Sequence, residues 1–193
     1  MAPLQITQDM FDERMEGLVL SGASPDELRD RAATLYSWAT DAEEYELGAG
    51  VTRAALLSSA AEDYMIVGDT DRGLAVALEA KAAAGPDEFE PHATLIQIHI
   101  DRGDIEAAKA VADEARKGVA SDPIVAELIG DSFELAGELA QAERIYTIGL
   151  RAANLDDDGV WYERLLRDRH RVRRDQQKPL DGYDEEFEEL TGE

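Results

Sequence analysis

Three histidines and 43 acidic residues in a chain of 193 are the groups that could do chemistry here. His92 and His99 stand seven apart, near one face of a helix, which is a spacing open to a two-histidine metal site. No carboxylate stands at matching spacing, so satisfied packing histidines are the simpler reading, and His170 sits alone among arginines. In NLDDDG (154–159) oxygen-bearing side chains precede a turn glycine, as in the first half of a calcium-binding loop. The bidentate Glu that closes such a loop would fall at Leu165, which offers no oxygen. The run reads instead as an acidic helix N-terminus stabilised by the helix dipole. There is no GxSxG, P-loop or HExxH, and GAG at 48–50 is too short for a dinucleotide fingerprint. Carboxylate pairs are everywhere in so acidic a chain, so none marks an acid–base couple. The expectation is a protein that is not an enzyme and holds no metal or cofactor.

The clearest charge pattern lies near the C-terminus. Arg164, Arg167, Arg171, Arg174 and Lys178 recur at spacings 3, 4, 3, 4, which aligns them as one stripe of a helix beside Trp161, Leu165 and Val172. A turn-like PLDG follows, then DGYDEEFEELTGE, with seven acids, no base, and Tyr183, Phe187 and Leu190 at helical spacing. The simplest reading is internal: the acidic tail folds back as a short helix and covers the basic stripe. In the alternatives the tail is free and the stripe meets RNA, DNA or another acidic protein, or both segments are solvated and silent. Alternating aromatic and basic residues of the kind that stack bases are missing, which weighs against nucleic acid.

Positioning these groups falls to helices. Aromatics are only 6% while Ala is abundant, a composition that favours close-packed helices over strands needing Val, Ile and aromatics. With 44% apolar residues the chain can build a sizeable core. A net charge of -24 argues against coating nucleic acid or an anionic membrane through the overall field, and basic or neutral partners are easier to accommodate. A composition set by the source organism is the other reading of that charge. No cysteine is present, which removes disulfides, thiolate metal sites and Cys nucleophiles and fits the reducing cytoplasm. No signal-like N-terminus or long apolar run marks the chain for export or membrane insertion, so a cytoplasmic protein without membrane partners is expected.

Three stretches, around Gly68, Gly103 and Gly137, repeat one design: a helix, a glycine followed by an acid, and an Ala-rich helix. The glycines are 35 and 34 residues apart. Such a period marks a helix-turn-helix solenoid, in which each hairpin hides its apolar faces against its neighbours. Glycine ends the first helix because left-handed geometry costs it little. The best unit has Gly130 and Phe133 before Gly137, then Ala142, Tyr146 and Gly149. The unit at Gly103 offers Ala108 and Ala115, with Ile96 and His99 ahead of the turn; that at Gly68 offers Ala61, Tyr64, Gly73 and Ala80.

On these residues, from about 51 to 156, the chain resembles the tetratricopeptide repeat (TPR) family. The resemblance implies an all-α helical-repeat solenoid with a concave groove lined by the first helix of each hairpin. That places Ser58, Glu62, Met65 and Ile66, then Ala93, Gln97, Ile100 and Asp101, then Glu127, Asp131, Glu134 and Leu135 on the groove. Some family members grip a peptide carboxylate with Lys, Arg and Asn there; none of these types stands at those positions. An acidic, solvent-facing groove with apolar islands suits a basic or amphipathic protein segment better. The expected function is therefore a non-catalytic interaction scaffold, with nucleic-acid association through the Arg stripe as the alternative and homo-oligomerisation left open. Residues 1–50 are expected as a degenerate first hairpin, in which Ser24-Pro25-Asp26-Glu27 caps a helix behind a Met10, Phe11, Met15, Leu18, Val19 stripe. Repeats fill 51–156, a basic capping helix 157–178 and an acidic tail 179–193.

Overall fold

The computed structural model describes residues 2–19, 22–153 and 155–192, and the side chains of these except 17–19 and 155–158. The Leu18 and Val19 part of the N-terminal stripe and the oxygens of 154–158 lie outside the described residues. The fold is all-α and built of helical hairpins. It falls into two compact units, residues 1–102 and 103–193.

In the N-terminal unit, β1 (Leu4–Ile6) leads into α1 (Gln8–Val19), α2 (Pro25–Thr40), β2 (Tyr45–Leu47), α3 (Arg53–Ile66), α4 (Thr70–Ala83) and α5 (Glu90–Asp101). The expected start of α2 is present in full. Ser24 accepts from the Glu27 amide, the Glu27 carboxylate accepts from the Ser24 amide, and Pro25 opens the first turn. The sequence reading had no place for β1 and β2, which pair in parallel with Leu4, Gln5 and Ile6 opposite Tyr45, Glu46 and Leu47. Ile6 is wholly buried, so the pair anchors the N-terminus to the core.

Gly68 takes the left-handed conformation expected of it (φ 82°). The amides of Gly68 and Asp69 close the end of α3 on the carbonyls of Met65 and Tyr64. The Asp69 carboxylate then accepts from the Arg72 amide and starts α4. A glycine that ends one helix beside an acid that caps the next explains the repeated Gly-acid pair. Gly103 (φ 76°) and Asp104, which accepts from the Ala107 amide, repeat the arrangement.

The C-terminal unit holds α6 (Ile105–Glu114), the single turn α7 (Arg116–Val119), α8 (Pro123–Leu135), α9 (Leu139–Ala152), α10 (Leu155–Asp175) and α11 (Gly182–Thr191). Small residues let α8 and α9 touch. A Cβ on Gly130 would lie 2.2 Å from the Tyr146 ring, and one on Gly149 would lie 2.5 Å from the Ala126 Cβ. Ala108 and Ala142 are wholly buried. Helix α10 packs on both α8 and α9, and α11 packs on α10. No described helix is long and apolar enough to cross a membrane.

Candidate functional site

The first helices of the hairpins carry the acidic positions, and the two units treat them differently. In the N-terminal unit, Glu62 of α3 keeps an exposed surface, but its carboxyl is tucked against α5, where Oε1 accepts a hydrogen bond from Thr94 Oγ1 at 2.9 Å and burial pushes the carboxyl above its ordinary range. On α5, Gln97 Nε2 donates to Asp101 Oδ1 at 2.7 Å. Asp101 is exposed, Met65 and Ile100 are half-buried, and Ile66 is 68% exposed. Neither Glu62 nor Asp101 forms an ion pair among the described residues. The arrangement is an open acidic face with apolar residues on it.

In the C-terminal unit the expectation of a solvent-facing acidic groove is corrected. Glu127 is only 5% exposed and pairs with Arg164 at 2.5 Å. Glu134 is gripped by Arg171, whose Nε and Nη2 donate to its two oxygens at 2.7 and 2.8 Å. The buried Tyr146 hydroxyl donates to Asp131 at 2.6 Å and to Glu134 at 2.9 Å. Asp131 and Glu134 therefore hold the α8–α9 packing together. Burial pushes the Glu127 and Asp131 carboxyls above their ordinary range. Burial acts the same way on Glu134, but Arg171 and the Tyr146 hydroxyl outweigh it and hold that carboxyl low. The Tyr146 phenol itself is driven far up by burial and by these two carboxylates.

The basic stripe is thus divided. Arg164 and Arg171 face α8, and Lys178 pairs with Glu143 of α9. The Arg167 side chain pairs among the described residues only with its chain neighbour Asp168, at 3.3 Å, and the Arg174 side chain is exposed with no hydrogen bond or ion pair among them.

The acidic tail does fold back as a helix, yet it does not cover the stripe. It docks on Arg169 and Arg173, which sequence reasoning passed over, and on His170, which it left alone among the arginines. Asp181 caps α11 and accepts from Nη1 and Nη2 of Arg169, at 3.0 and 2.6 Å. Asp184, 1% exposed, accepts from Arg173 Nε at 2.8 Å and lies 3.3 Å from His170 Nδ1. Tyr183 packs against Arg169 and Phe187 against the His170 ring. The Arg169 bond holds the Asp181 carboxyl down at about 2. The reason for the difference lies in α10 itself. Arg169 and Arg173 stand four and eight residues after Leu165, on its apolar side, where a buried charge must find a partner.

A second buried pair was also missed. Arg31 of α2 donates to both oxygens of Asp63 on α3, at 2.7 and 2.6 Å, and to the Met15 carbonyl of α1 at 3.1 Å. The available signal was position: Arg31 falls between Leu28 and Leu35 on the apolar stripe of α2.

His92 and His99 are half-buried, and the His92 ring tilts against Phe89. Among the described residues no group of three or more metal-ligating side chains gathers. Comparison with protein-family models, curated proteins and solved structures found no match to this chain.

Proposed function

We propose that the protein is a non-catalytic helical-repeat scaffold of the TPR kind, which binds a basic amphipathic protein segment on the α3–α5 face of its N-terminal unit. The observation that carries this reading is the open pair of carboxylates, Glu62 and Asp101, set beside Met65, Ile66 and Ile100. Apolar islands inside a like-charged surface supply both halves of amphipathic recognition, burial for affinity and charge for orientation. On α8, Glu127 and Glu134 are already bound by arginines of α10 and Asp131, which stands at the Glu62 position, by the Tyr146 hydroxyl, so they add little attraction for an outside cation.

The test is fluorescence anisotropy with a labelled amphipathic peptide bearing Lys and Leu at helical spacing. The double variant Glu62→Lys, Asp101→Lys is expected to weaken binding roughly ten-fold or more with helix content unchanged. Equal affinity for both proteins would refute the assignment of this face.

A further inference from the structure

In the C-terminal unit, α10 and α11 leave between them an open groove of about 760 Å³. Its apolar lining is Val160, Leu166, Phe187 and Leu190, of which Val160 is 70% and Leu190 56% exposed. Arg164 and Arg167 also line it, against the single carboxylate Glu163 among the described lining residues. A second hollow of about 380 Å³ continues along α10, sharing Arg167 and Phe187 and adding His170, Arg171, Arg174 and one carboxylate, Asp175. Helix α11 runs back along α10, with Tyr183 near Arg169, Phe187 on His170 and the Tyr162 hydroxyl donating to Glu186. The surface is therefore ordered: apolar at the Val160 and Leu190 end, cationic toward Arg174.

Arg164, Arg169, Arg171 and Arg173 each have a carboxylate from outside α10. Arg167 and Arg174 do not, and both sit along this surface. Arg174, whose side chain has no partner among the described residues, and Arg167, paired only with Asp168 of its own helix, lie beside exposed apolar side chains, and in a chain of net charge -24 they call for an acidic and apolar occupant. Helix α10 already carries one ligand of that chemistry. On its neighbouring face α11 supplies Asp184 to Arg173, Tyr183 to Arg169 and Phe187 to His170.

We propose that the open groove between α10 and α11 is a second docking site and takes an acidic amphipathic helix of a partner protein. From Val160 to Arg174 the helix rises about 21 Å, at 1.5 Å per residue, so the occupant is a helix of about four turns. It carries its apolar residues at one end and its carboxylates at the other. Nucleic acid is the less suitable occupant, because it has no use for the apolar end. This site is independent of the α3–α5 face, and either assignment can fail without the other.

The experiment uses the full chain and three probes. One is a labelled helical peptide of about 16 residues, with Leu and Phe at helical spacing in one half and Glu in the other. The second has the same composition in scrambled order, and the third is oligouridine RNA. The ordered peptide is expected to saturate and to bind about ten-fold more tightly than the scrambled one. Leu190→Ser and Arg174→Glu, both at exposed positions, are expected to weaken it about five- to ten-fold each, with the circular dichroism spectrum unchanged. Leu78→Ser, an exposed apolar change in the other unit, is expected to leave it unaltered. The proposal is overturned by no saturation up to roughly 1 mM peptide, by equal binding of the scrambled peptide, or by indifference to Leu190→Ser. It is also overturned by tighter binding of RNA than of the ordered peptide, or by self-association that Leu190→Ser abolishes, since a second copy would then be the occupant.

Discussion

Glu62, Gln97 and Asp131 each stand six residues before a turn glycine, at one position of the repeat, yet their surroundings differ. In the N-terminal unit, the residue that α5 offers to Glu62 is neutral Thr94, and the acid has no ion pair among the described residues. In the C-terminal unit, the Tyr146 hydroxyl of α9 holds Asp131, while Arg164 and Arg171 of α10 hold its neighbours Glu127 and Glu134, and the α8 carboxylates become structural. The repeat fixes where an acid stands, and the helices packed against it decide whether it is paired or left open. Two acidic faces that look alike along the chain thus have different surroundings.

The largest effect is expected from breaking the buried charge clusters. Asp184→Ala leaves Arg173 without its 2.8 Å partner in a buried site and should cost about 3 to 5 kcal/mol, read as a loss of hydrogen-exchange protection in α11. Asp63→Ala strands Arg31 and should cost a similar amount, about 3 to 5 kcal/mol, read in α2 and α3. Overpacking comes next. Ala142→Leu and Gly130→Ala should each cost about 1 to 3 kcal/mol in urea unfolding. Gly130→Ala is the sharper of the two, since its new methyl meets the Tyr146 ring, which is itself held by two carboxylates.

Neutralising single acids then tests the comparison itself. Glu134→Gln loses a two-pronged arginine contact and should cost about 1 kcal/mol, discounted because Arg171 is half exposed. Glu62→Gln should cost less than about 0.5 kcal/mol. Equal losses at the two sites would remove the distinction between a bound face and an open one.

These contrasts also show what was legible before the structure. The Gly-acid turns, the Ser24 cap and the small residues at Gly130, Ala142 and Gly149 follow from local rules, because backbone geometry and helix spacing act over a few residues. The β1–β2 pair was not legible: its three-residue strands stand about 40 residues apart and carry no strand pattern. The charge clusters were half legible. Arg169, Arg173 and Arg31 occupy apolar-stripe positions, but which acid meets each depends on how separate helices pack. The basic stripe holds as a helical line only from Arg164 to Arg174, since α10 ends at Asp175 and Gln177 turns left-handed (φ 55°) ahead of Lys178, and it was mistaken as a uniform surface, since α8 and α9 take three of its five cations.

The smallest expected effect is on acid stability. Asp181, held at about 2, and Glu134 and Glu143, held below their usual range, all have folded values under their unfolded ones. Their stabilisation is present above about pH 4 and is lost as pH falls through the folded values. Glu127 and Asp131, raised by burial, act with the opposite sign and soften the upper part of the transition. The α10–α11 packing should therefore weaken from about pH 4 toward about pH 2. Asp181→Asn, which keeps a helix-capping side chain, should flatten that fall. Because Asp181 is partly exposed the change is modest, and a profile identical to the unaltered chain would count against the Arg169 pair.

Amide chemical-shift mapping of the full chain, titrated with the basic amphipathic peptide, tests the central claim most directly. Saturable shifts centred on α3 and α5, around Glu62, Met65, Gln97 and Asp101, are the predicted result. Shifts centred instead on α8 and α10, or no saturable shifts at all, would contradict an open binding face in the N-terminal unit.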